Sequence, residues 1–188
     1  MFLTLPTLLT WARIVSIPLI VGCFSLPWPA EQINLLACVL FIVVALTDWA
    51  DGWLARRLNQ TSAFGAFLDP VADKFLVCAS LIILLQQDRV AAWVALIIIG
   101  REIAITSLRE WMAQIGASRS VAVHVLGKLK TAAQMAAISL LLYDGPLIGE
   151  FSARRLGTWL IYVACGLTIW SMVYYLKMAL PAIRAKAQ

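Results

Sequence analysis

Four aspartates lie close together in the first half of the sequence, next to long apolar runs. Asp48 and Asp51 belong to the stretch TDWADGWLARR, and Asp69 and Asp73 belong to the stretch DPVADK. Residues three or four positions apart share one face of a helix, so each pair would present its carboxylates together. Such a cluster of oxygen ligands suits hard divalent cations, Mg²⁺ or Mn²⁺. Two such ions could share the four carboxylates and hold a phosphoryl group.

Small residues accompany the carboxylates. On a helix that turns by about 100° per residue, Gly52 and Ala55 share a face with Asp48 and Asp51. Together with Gly65, they leave the helix surface bare, so a flat or bulky ligand could approach the backbone closely. Their place on the acidic face favours ligand contact over ordinary packing of small residues between helices.

Each aspartate also has a simpler interpretation. Asp69 precedes Pro70, so it could be the N-cap of a helix that has proline at its first position. Asp48 or Asp51 could form an interfacial ion pair with Arg56 or Arg57. An isolated charge at the centre of a membrane helix costs about 2.5–3.5 kcal/mol. One shared site therefore explains the cluster better than separate coincidences do.

The composition indicates which elements must position these residues. The chain has 188 residues, of which 62% are hydrophobic and 13% are charged, whereas soluble domains average about 25% charged residues. A single all-α membrane domain over 1–188 is the natural prediction. The net charge of +5 is typical of cytoplasmic loops beside anionic lipid, and no basic run indicates nucleic acid. The scattered cysteines are predicted to be small buried apolar residues.

Six apolar runs approach the length of about 20 residues that a membrane-spanning helix needs. The predicted transmembrane helices are 8–26, 33–55, 67–86, 91–113, 122–142 and 156–178. The less apolar segment 1–12 could begin as a helix lying along the membrane interface. The short link between the second and third helices predicts that they are antiparallel neighbours, with their acidic faces meeting at one membrane surface.

The basic residues predict the orientation of these helices. If the N-terminus is cytoplasmic, the cytoplasmic side holds Arg13, Arg56, Arg57, Lys74, Arg101, Arg109, Arg119, Lys128, Lys130, Lys177, Arg184 and Lys186. The other side then holds only Arg89, Arg154 and Arg155. This bias follows the positive-inside rule and places both termini in the cytoplasm.

A second group of residues could bind an anion. Arg101 and Arg109 are two turns apart on one face of the fourth predicted helix, and Lys128 and Lys130 begin the fifth. Charges at this depth are costly unless they meet an opposite charge. An acceptor that carries its own phosphate would supply one. Glu102 or Glu110 could also satisfy an arginine, and membrane topology alone could explain Lys130.

The aspartate stretch resembles the signature of a known family. Its spacing is Asp48-x₂-Asp51-Gly52-x₂-Ala55-Arg56-x₈-Gly65-x₃-Asp69-x₃-Asp73, which is similar to the signature of the CDP-alcohol phosphotransferases at every position. The stretches PTLLTWAR, REI, SLREWMA and GKLKTAAQM are similar to the bacterial branch of that family that makes phosphatidylglycerophosphate.

The resemblance implies an activity. Members of this branch transfer a phosphatidyl group from CDP-diacylglycerol to sn-glycerol 3-phosphate and release CMP at the bacterial cytoplasmic membrane. It also implies a homodimer and two Mg²⁺ or Mn²⁺ ions per site. The implied metal ligands are Asp48, Asp51, Asp69 and Asp73, the last of which would also be the general base. The implied binding residues are Gly52, Ala55, Arg56 and Gly65 for CDP-diacylglycerol, and Arg101, Arg109, Lys128, Lys130, Thr10 and Arg13 for the acceptor phosphate.

Two other interpretations remain at this point. A sibling enzyme would have the same fold and donor but a different acceptor, such as phosphatidylglycerol or inositol phosphate. A divalent-cation or proton-coupled transporter would also place acids inside a membrane. The clustering of the acids at one predicted membrane face, with none in the fifth or sixth helix to continue an ion path, disfavours the transporter.

Overall fold

The computed structural model is built of α-helices. Their bounds are α1 Leu5–Cys23, α2 Ala30–Leu58, α3 Ala63–Gln86, α4 Ala92–Gln114, α5 Val125–Tyr143 and α6 Ala153–Lys186. The structure describes residues 5–58, 63–114, 125–147 and 151–186, with the side chains of 5–6, 48–58, 63, 66, 125–128 and 181–186 excluded. Within those ranges the only β pairing is an isolated bridge between Pro146 and Ser152.

Each helix overlaps one of the predicted apolar segments, so the all-α prediction is confirmed. Two stretches are long and apolar enough to cross a membrane by length and composition, Ala30–Thr47 and Ala153–Leu180. The helices α1 and α5 contain shorter apolar stretches, Thr7–Cys23 and Leu129–Tyr143. The helices α3 and α4 carry charged residues in their middle portions. Six membrane crossings therefore stay a prediction.

The start of α3 decides whether Asp69 is the N-cap of a helix. This helix begins at Ala63 and contains Pro70 in its interior. Asp69 therefore lies in the second turn of a continuous helix and is not an N-cap. Pro70 has no N–H to donate, so one carbonyl of the preceding turn lacks its helical partner. The first helix is also continuous from Leu5, so the described residues contain no separate interfacial helix before it.

The packing of α1 determines how the helices that carry the aspartates are held. Within the described residues, α1 contacts both α2 and α3, and it provides the main link between them. The predicted direct meeting of the acidic faces of α2 and α3 involves side chains outside the described set. The core between the helices is apolar and includes Ile17, Phe41, Leu76, Leu84, Ile98, Ile138 and Leu141, each 2% exposed or less.

The closest helix contact joins α5 and α6. A Cβ atom added at Gly157 would lie 2.8 Å from Leu141 Cγ and 3.1 Å from Leu140 Cβ. Contacts this short do not occur for real side chains, so glycine permits α6 to approach α5. This pairing supports α5, which carries part of the site described below.

Large apolar side chains also face outward. Leu96 and Trp159 are each 73% exposed, Trp170 is 68% exposed and Phe67 is 65% exposed. A water-soluble surface rarely carries so many apolar side chains together. An apolar exterior around an apolar core is the arrangement expected for helices in lipid, so these helices indicate a membrane protein.

One end of the bundle is held by Arg89. The turn after α3 has Asp88 in the left-handed region (φ 52°), with Arg89 N–H donating to the Leu84 carbonyl. This is a Schellman arrangement, which ends the helix and directs Arg89 back toward the bundle. Its guanidinium donates to the Leu141 and Leu142 carbonyls at 3.0 Å, where α5 ends.

The same guanidinium has two further partners. Arg89 Nη2 donates to Asn34 Oδ1 of α2 at 2.8 Å, and Arg89 Nε lies 3.3 Å from Asp144 Oδ2. The other oxygen of Asp144 lies 3.2 Å from Arg154 Nε. Burial lowers the pKa of Arg89, and the negative charge of Asp144 opposes that shift. One cation thus connects the α3–α4 turn with α2, α5 and the start of α6.

Replacing Arg89 with methionine should lower the free energy of unfolding by about 3 kcal/mol or more, because it leaves buried carbonyls without their donor and Asp144 with the half-exposed Arg154 as its remaining described partner. The comparison variant is Arg154→Met. That side chain is 50% exposed, so its loss should cost less than about 1 kcal/mol. Thermal unfolding in detergent measures both, and equal effects would contradict a central role for Arg89.

Candidate active site

The described part of the acidic cluster lies on one face of α3. Asp69 and Asp73 are one helical turn apart, and Gly65 precedes Asp69 by one further turn. Thr10 Oγ1 donates a hydrogen bond to Asp69 Oδ1. Arg13 Nη1 donates to Asp73 Oδ1 at 2.7 Å. The first helix therefore supplies a polar partner to each carboxylate.

These partners belong to a polar stripe on α1. Thr7, Thr10 and Arg13 are three residues apart along the helix, and each is 1% exposed. Residues at this spacing lie on one helical face. The rest of the helix is mainly apolar, so the stripe directs α1 toward the carboxylates of α3. An arginine this deeply buried requires a paired carboxylate, which Asp73 provides.

The ion pair between Arg13 and Asp73 is unevenly buried. The Arg13 side chain is fully covered, whereas the Asp73 side chain is 48% exposed. The buried guanidinium thus binds one oxygen of the carboxylate, while the carboxylate still lines an open cavity. Asp73 is in this way fixed in orientation and accessible to a ligand.

The cavity is formed by three helices. Its volume is about 200 Å³, and its lining residues are Pro70, Asp73, Lys74, Val77, Glu102, Thr131 and Gln134. The first four come from α3, Glu102 comes from α4, and the last two come from α5. The cavity therefore also borders α4 and α5, the helices that carry the predicted anion-binding residues.

A buried ionic cluster of Glu102, Lys130 and Arg101 lies next to the cavity, which Glu102 lines. Glu102 Oε1 accepts hydrogen bonds from Lys130 Nζ at 2.5 Å and from Arg101 Nη1 at 2.8 Å. Their side chains are 19%, 3% and 8% exposed, in that order. Buried charges persist only when paired in this way. One cation from each predicted pair, Arg101 and Lys130, is thus joined across α4 and α5 by a carboxylate.

The sixth helix completes the cluster. Arg101 Nη2 donates to Ser171 Oγ at 3.2 Å. The guanidinium carbons of Arg101 and Arg109 lie 5.9 Å and 5.1 Å from the centroid of the Tyr175 ring. An aromatic face attracts cations at these distances. Tyr175 therefore holds two like charges near one another.

The cluster keeps an excess of positive charge. Arg101, Arg109 and Lys130 contribute three positive charges and Glu102 contributes one negative charge, so two positive charges remain. A phosphate monoester carries about −1.5 to −2 charge near neutral pH. Because arginine forms paired hydrogen bonds with phosphate oxygens, this cluster suits a phosphorylated small molecule.

The carboxylates fit a divalent cation by the type of their donor atoms. Asp69 and Asp73 present hard oxygen donors on one helical face, and Asp73 lines the cavity. Among the side chains that the structure describes, no group of three or more His, Cys, Asp and Glu residues is gathered tightly enough to hold a metal. The side chains of Asp48 and Asp51, the other half of the predicted set, lie outside that description.

The remaining predicted residues are distributed as follows. Gly52, Ala55 and Arg56 lie in α2 with Asp48 and Asp51, and Lys128 lies in α5, all with side chains outside the described set. Thr10 and Arg13 contact the α3 aspartates rather than the cationic cluster. Their predicted role toward the acceptor phosphate stays a prediction.

Three contributors to the site had no assigned role in the sequence interpretation: Ser171, Tyr175 and Gln134. Ser171 and Tyr175 lie one turn apart on α6, seventy residues or more after Arg101, so no local spacing links them. Gln134 does carry a local signal, since it is an uncharged polar residue within the apolar stretch Leu129–Tyr143.

Comparison with known proteins agrees with this geometry. A family model described as CDP-alcohol phosphatidyltransferase matches residues 3–170. The CDP-diacylglycerol–glycerol-3-phosphate 3-phosphatidyltransferase of Escherichia coli K12 is 46% identical over 178 residues, which cover 93% of this chain and 94% of that protein. Proteins of the same description from Salmonella typhimurium and Salmonella choleraesuis are each 45% identical over the same shares.

This chain belongs to the CDP-alcohol phosphatidyltransferase family, which confirms the resemblance found in the sequence. It is therefore a member of an enzyme family that generally depends on divalent metal. The match extends over α1 to α5 and much of α6, so it includes both the aspartates and the cationic cluster.

Replacing Arg13 with methionine should reduce CMP release by about a hundredfold, because Asp73 would lose the buried guanidinium that orients it. The rate is measured with purified protein in detergent, and circular dichroism checks that the helices persist. Ser16→Ala is the matched control, since Ser16 bonds only within α1, to the Ala12 carbonyl. Full activity in the Arg13 variant would show that Asp73 needs no orienting partner.

Proposed function

We propose that this protein transfers the phosphatidyl group of CDP-diacylglycerol to sn-glycerol 3-phosphate, forming phosphatidylglycerophosphate and CMP. The observation that carries the proposal is the cavity that Asp73 and Glu102 both line, with Lys130 and Arg101 bonded to Glu102. A carboxylate that can accept a proton thus shares a cavity with the residue that gathers cations able to hold a phosphate. The relatives described above are named for this reaction, and the match to this chain covers 94% of their length.

The proposal includes a setting in the membrane. All six helices would cross the cytoplasmic membrane of a bacterium as a single domain, with both termini and the aspartates on the cytoplasmic side. The excess of basic residues on the predicted cytoplasmic side supports that orientation. The outward-facing apolar side chains support the lipid environment. The family resemblance also implies a homodimer.

The donor side of the proposed mechanism uses α2 and α3. Asp48, Asp51, Asp69 and Asp73 would hold two divalent cations, Mg²⁺ or Mn²⁺. When bound, these ions would neutralise the diphosphate charge and polarise its phosphoryl oxygens. Gly52, Ala55 and Gly65 would lie against the cytidine and the diphosphate, with Arg56 near the phosphates. The Thr10 and Arg13 contacts keep two of the carboxylates oriented.

The acceptor side uses α4 and α5. Arg101, Arg109 and Lys130, with Lys128, would bind the phosphate of glycerol 3-phosphate. This places the primary hydroxyl at the far end of the acceptor toward Asp73, across the cavity. The hydroxyl oxygen attacks the phosphorus of the phosphatidyl group, and its proton passes to Asp73. The bond from that phosphorus to the oxygen of CMP breaks, and CMP leaves with the electron pair.

The size of the cavity favours this acceptor over one sibling substrate. Pockets that enclose drug-sized ligands have volumes of about 300–1,000 Å³, whereas this cavity has about 200 Å³. A three-carbon phosphate suits that space better than the six-membered ring of inositol phosphate. An acceptor without a small phosphate head, such as serine, would leave the excess positive charge unmatched.

The proposed reaction predicts CMP release that requires Mg²⁺ or Mn²⁺ and one acceptor. Purified protein in detergent, supplied with CDP-diacylglycerol, should release CMP with glycerol 3-phosphate and should lose this activity with EDTA. Inositol phosphate, serine, phosphatidylglycerol and the absence of acceptor should give little release. Asp73→Asn should lower the rate by about a hundredfold or more, since general-base catalysis typically contributes that factor.

The outcomes separate the alternatives. Release with another acceptor would keep the donor and the fold but reject the assignment of the acceptor. Transport of Mn²⁺ across proteoliposomes, with no CMP release under any condition, would favour the transporter instead.

The cationic cluster yields a separate prediction. Lys130→Met should raise the KM for glycerol 3-phosphate by roughly ten- to hundredfold, because a hydrogen bond to a charged group contributes about 1.5–3 kcal/mol. The KM for CDP-diacylglycerol should stay unchanged. Lys177→Met is the control, since Lys177 lies on the outer face of α6, away from the cavity. An equal rise in both KM values would contradict a specific contact with the acceptor.

A further inference from the structure

The cavity contains a buried polar atom with no partner among the described residues. Gln134 is 3% exposed, and its side-chain oxygen Oε1 accepts no hydrogen bond from them. A buried polar atom left unpaired costs about 1–3 kcal/mol, so most such atoms in proteins are paired. Because Gln134 lines the cavity, a bound ligand can supply the missing partner.

The position of Gln134 along the cavity indicates which part of a ligand it would meet. Asp73 and Glu102 both line the cavity, and Glu102 is bonded to Lys130 and Arg101. Gln134 is one helical turn beyond Lys130 on α5. It therefore lies near the cationic cluster while lining the same space as Asp73.

Three of the other described polar lining residues are already engaged, and the fourth, Lys74, is only partly buried. The Glu102 carboxylate accepts hydrogen bonds from two cations, and Asp73 is paired with Arg13. Thr131 has an interaction of its own and an exposed side chain. Gln134 is thus the buried lining residue whose hydrogen-bonding capacity is available to a ligand.

We propose that Gln134 recognises the secondary hydroxyl, on C2, of the acceptor, an inference that rests on the proposed function. With the acceptor phosphate on the cationic cluster and the reacting primary hydroxyl at Asp73, the middle carbon lies between them. The hydroxyl on this carbon donates a hydrogen bond to Gln134 Oε1. Gln134 is in this role a specificity-determining residue that distinguishes a glycerol backbone from a three-carbon chain without the hydroxyl.

The test removes each partner in turn. The probe is 3-hydroxypropyl phosphate, which keeps the phosphate and the reacting hydroxyl of glycerol 3-phosphate but lacks the C2 hydroxyl. The wild-type protein should use glycerol 3-phosphate better by roughly ten- to hundredfold in kcat/KM, as expected for a hydroxyl that pairs with a buried polar group. Gln134→Met, of similar length and without polar atoms, should abolish that preference by lowering the rate with glycerol 3-phosphate alone.

Thr168→Val is the matched control. The Thr168 hydroxyl is also buried and unpaired within the described residues, but it does not line the cavity. This variant should keep the wild-type preference between the two acceptors. A change in Thr168→Val equal to that in Gln134→Met would mean that any buried polar substitution alters the preference, and would overturn the proposal.

The remaining outcomes separate the proposal from the function on which it rests. If wild-type protein uses glycerol 3-phosphate and Gln134→Met loses equal activity on both acceptors, Gln134 does not recognise the hydroxyl. Equal use of both acceptors by wild-type protein would also overturn the proposal. If wild-type protein releases CMP with neither acceptor but does so with a different alcohol, the proposed function itself fails.

Discussion

A charged side chain buried in an apolar helix bundle must be paired, and this constraint determines where the site lies. Arg13 is covered by α1 and α3 and requires Asp73. Arg101 and Lys130 lie between helices and require Glu102. The Arg13–Asp73 and Lys130–Glu102 pairs each join two helices, so neutralising the charges also fixes α1 against α3 and α4 against α5.

In the proposed mechanism, the two ionic groups serve different parts of one reaction. The pair on α1 and α3 leaves a carboxylate half-exposed and oriented, whereas the cluster on α4 and α5 keeps an excess of positive charge. Glu102 already pairs with two of the cations, and a second carboxylate placed among them would compete further with the proposed acceptor phosphate. At the other end of the bundle, Arg89 fulfils the same constraint with carbonyls and Asp144, and its role is structural.

Much of this arrangement could be predicted from the sequence, because helix position depends on local apolar runs and the signature depends on local spacing. Each predicted segment corresponds to a helix, and Asp69 and Asp73 lie on one face as expected. The contacts of Thr10 and Arg13 could not be predicted in the same way, since about sixty residues separate them from the aspartates. Arg101 was expected to meet a substrate anion or a nearby glutamate, and in the structure Glu102 is its partner. Only packing across helices decides between such partners.

The order of these elements along the chain divides the protein into two parts. The first three helices contain every aspartate of the signature together with the α1 residues that contact two of them, and the last three contain the cations of the second cluster with Ser171 and Tyr175. During synthesis the first part emerges before the second exists. Under the proposed function, substitutions in the second part could suit a new alcohol while the first part keeps its chemistry. A family with one type of donor and many acceptors is the expected result of such a division.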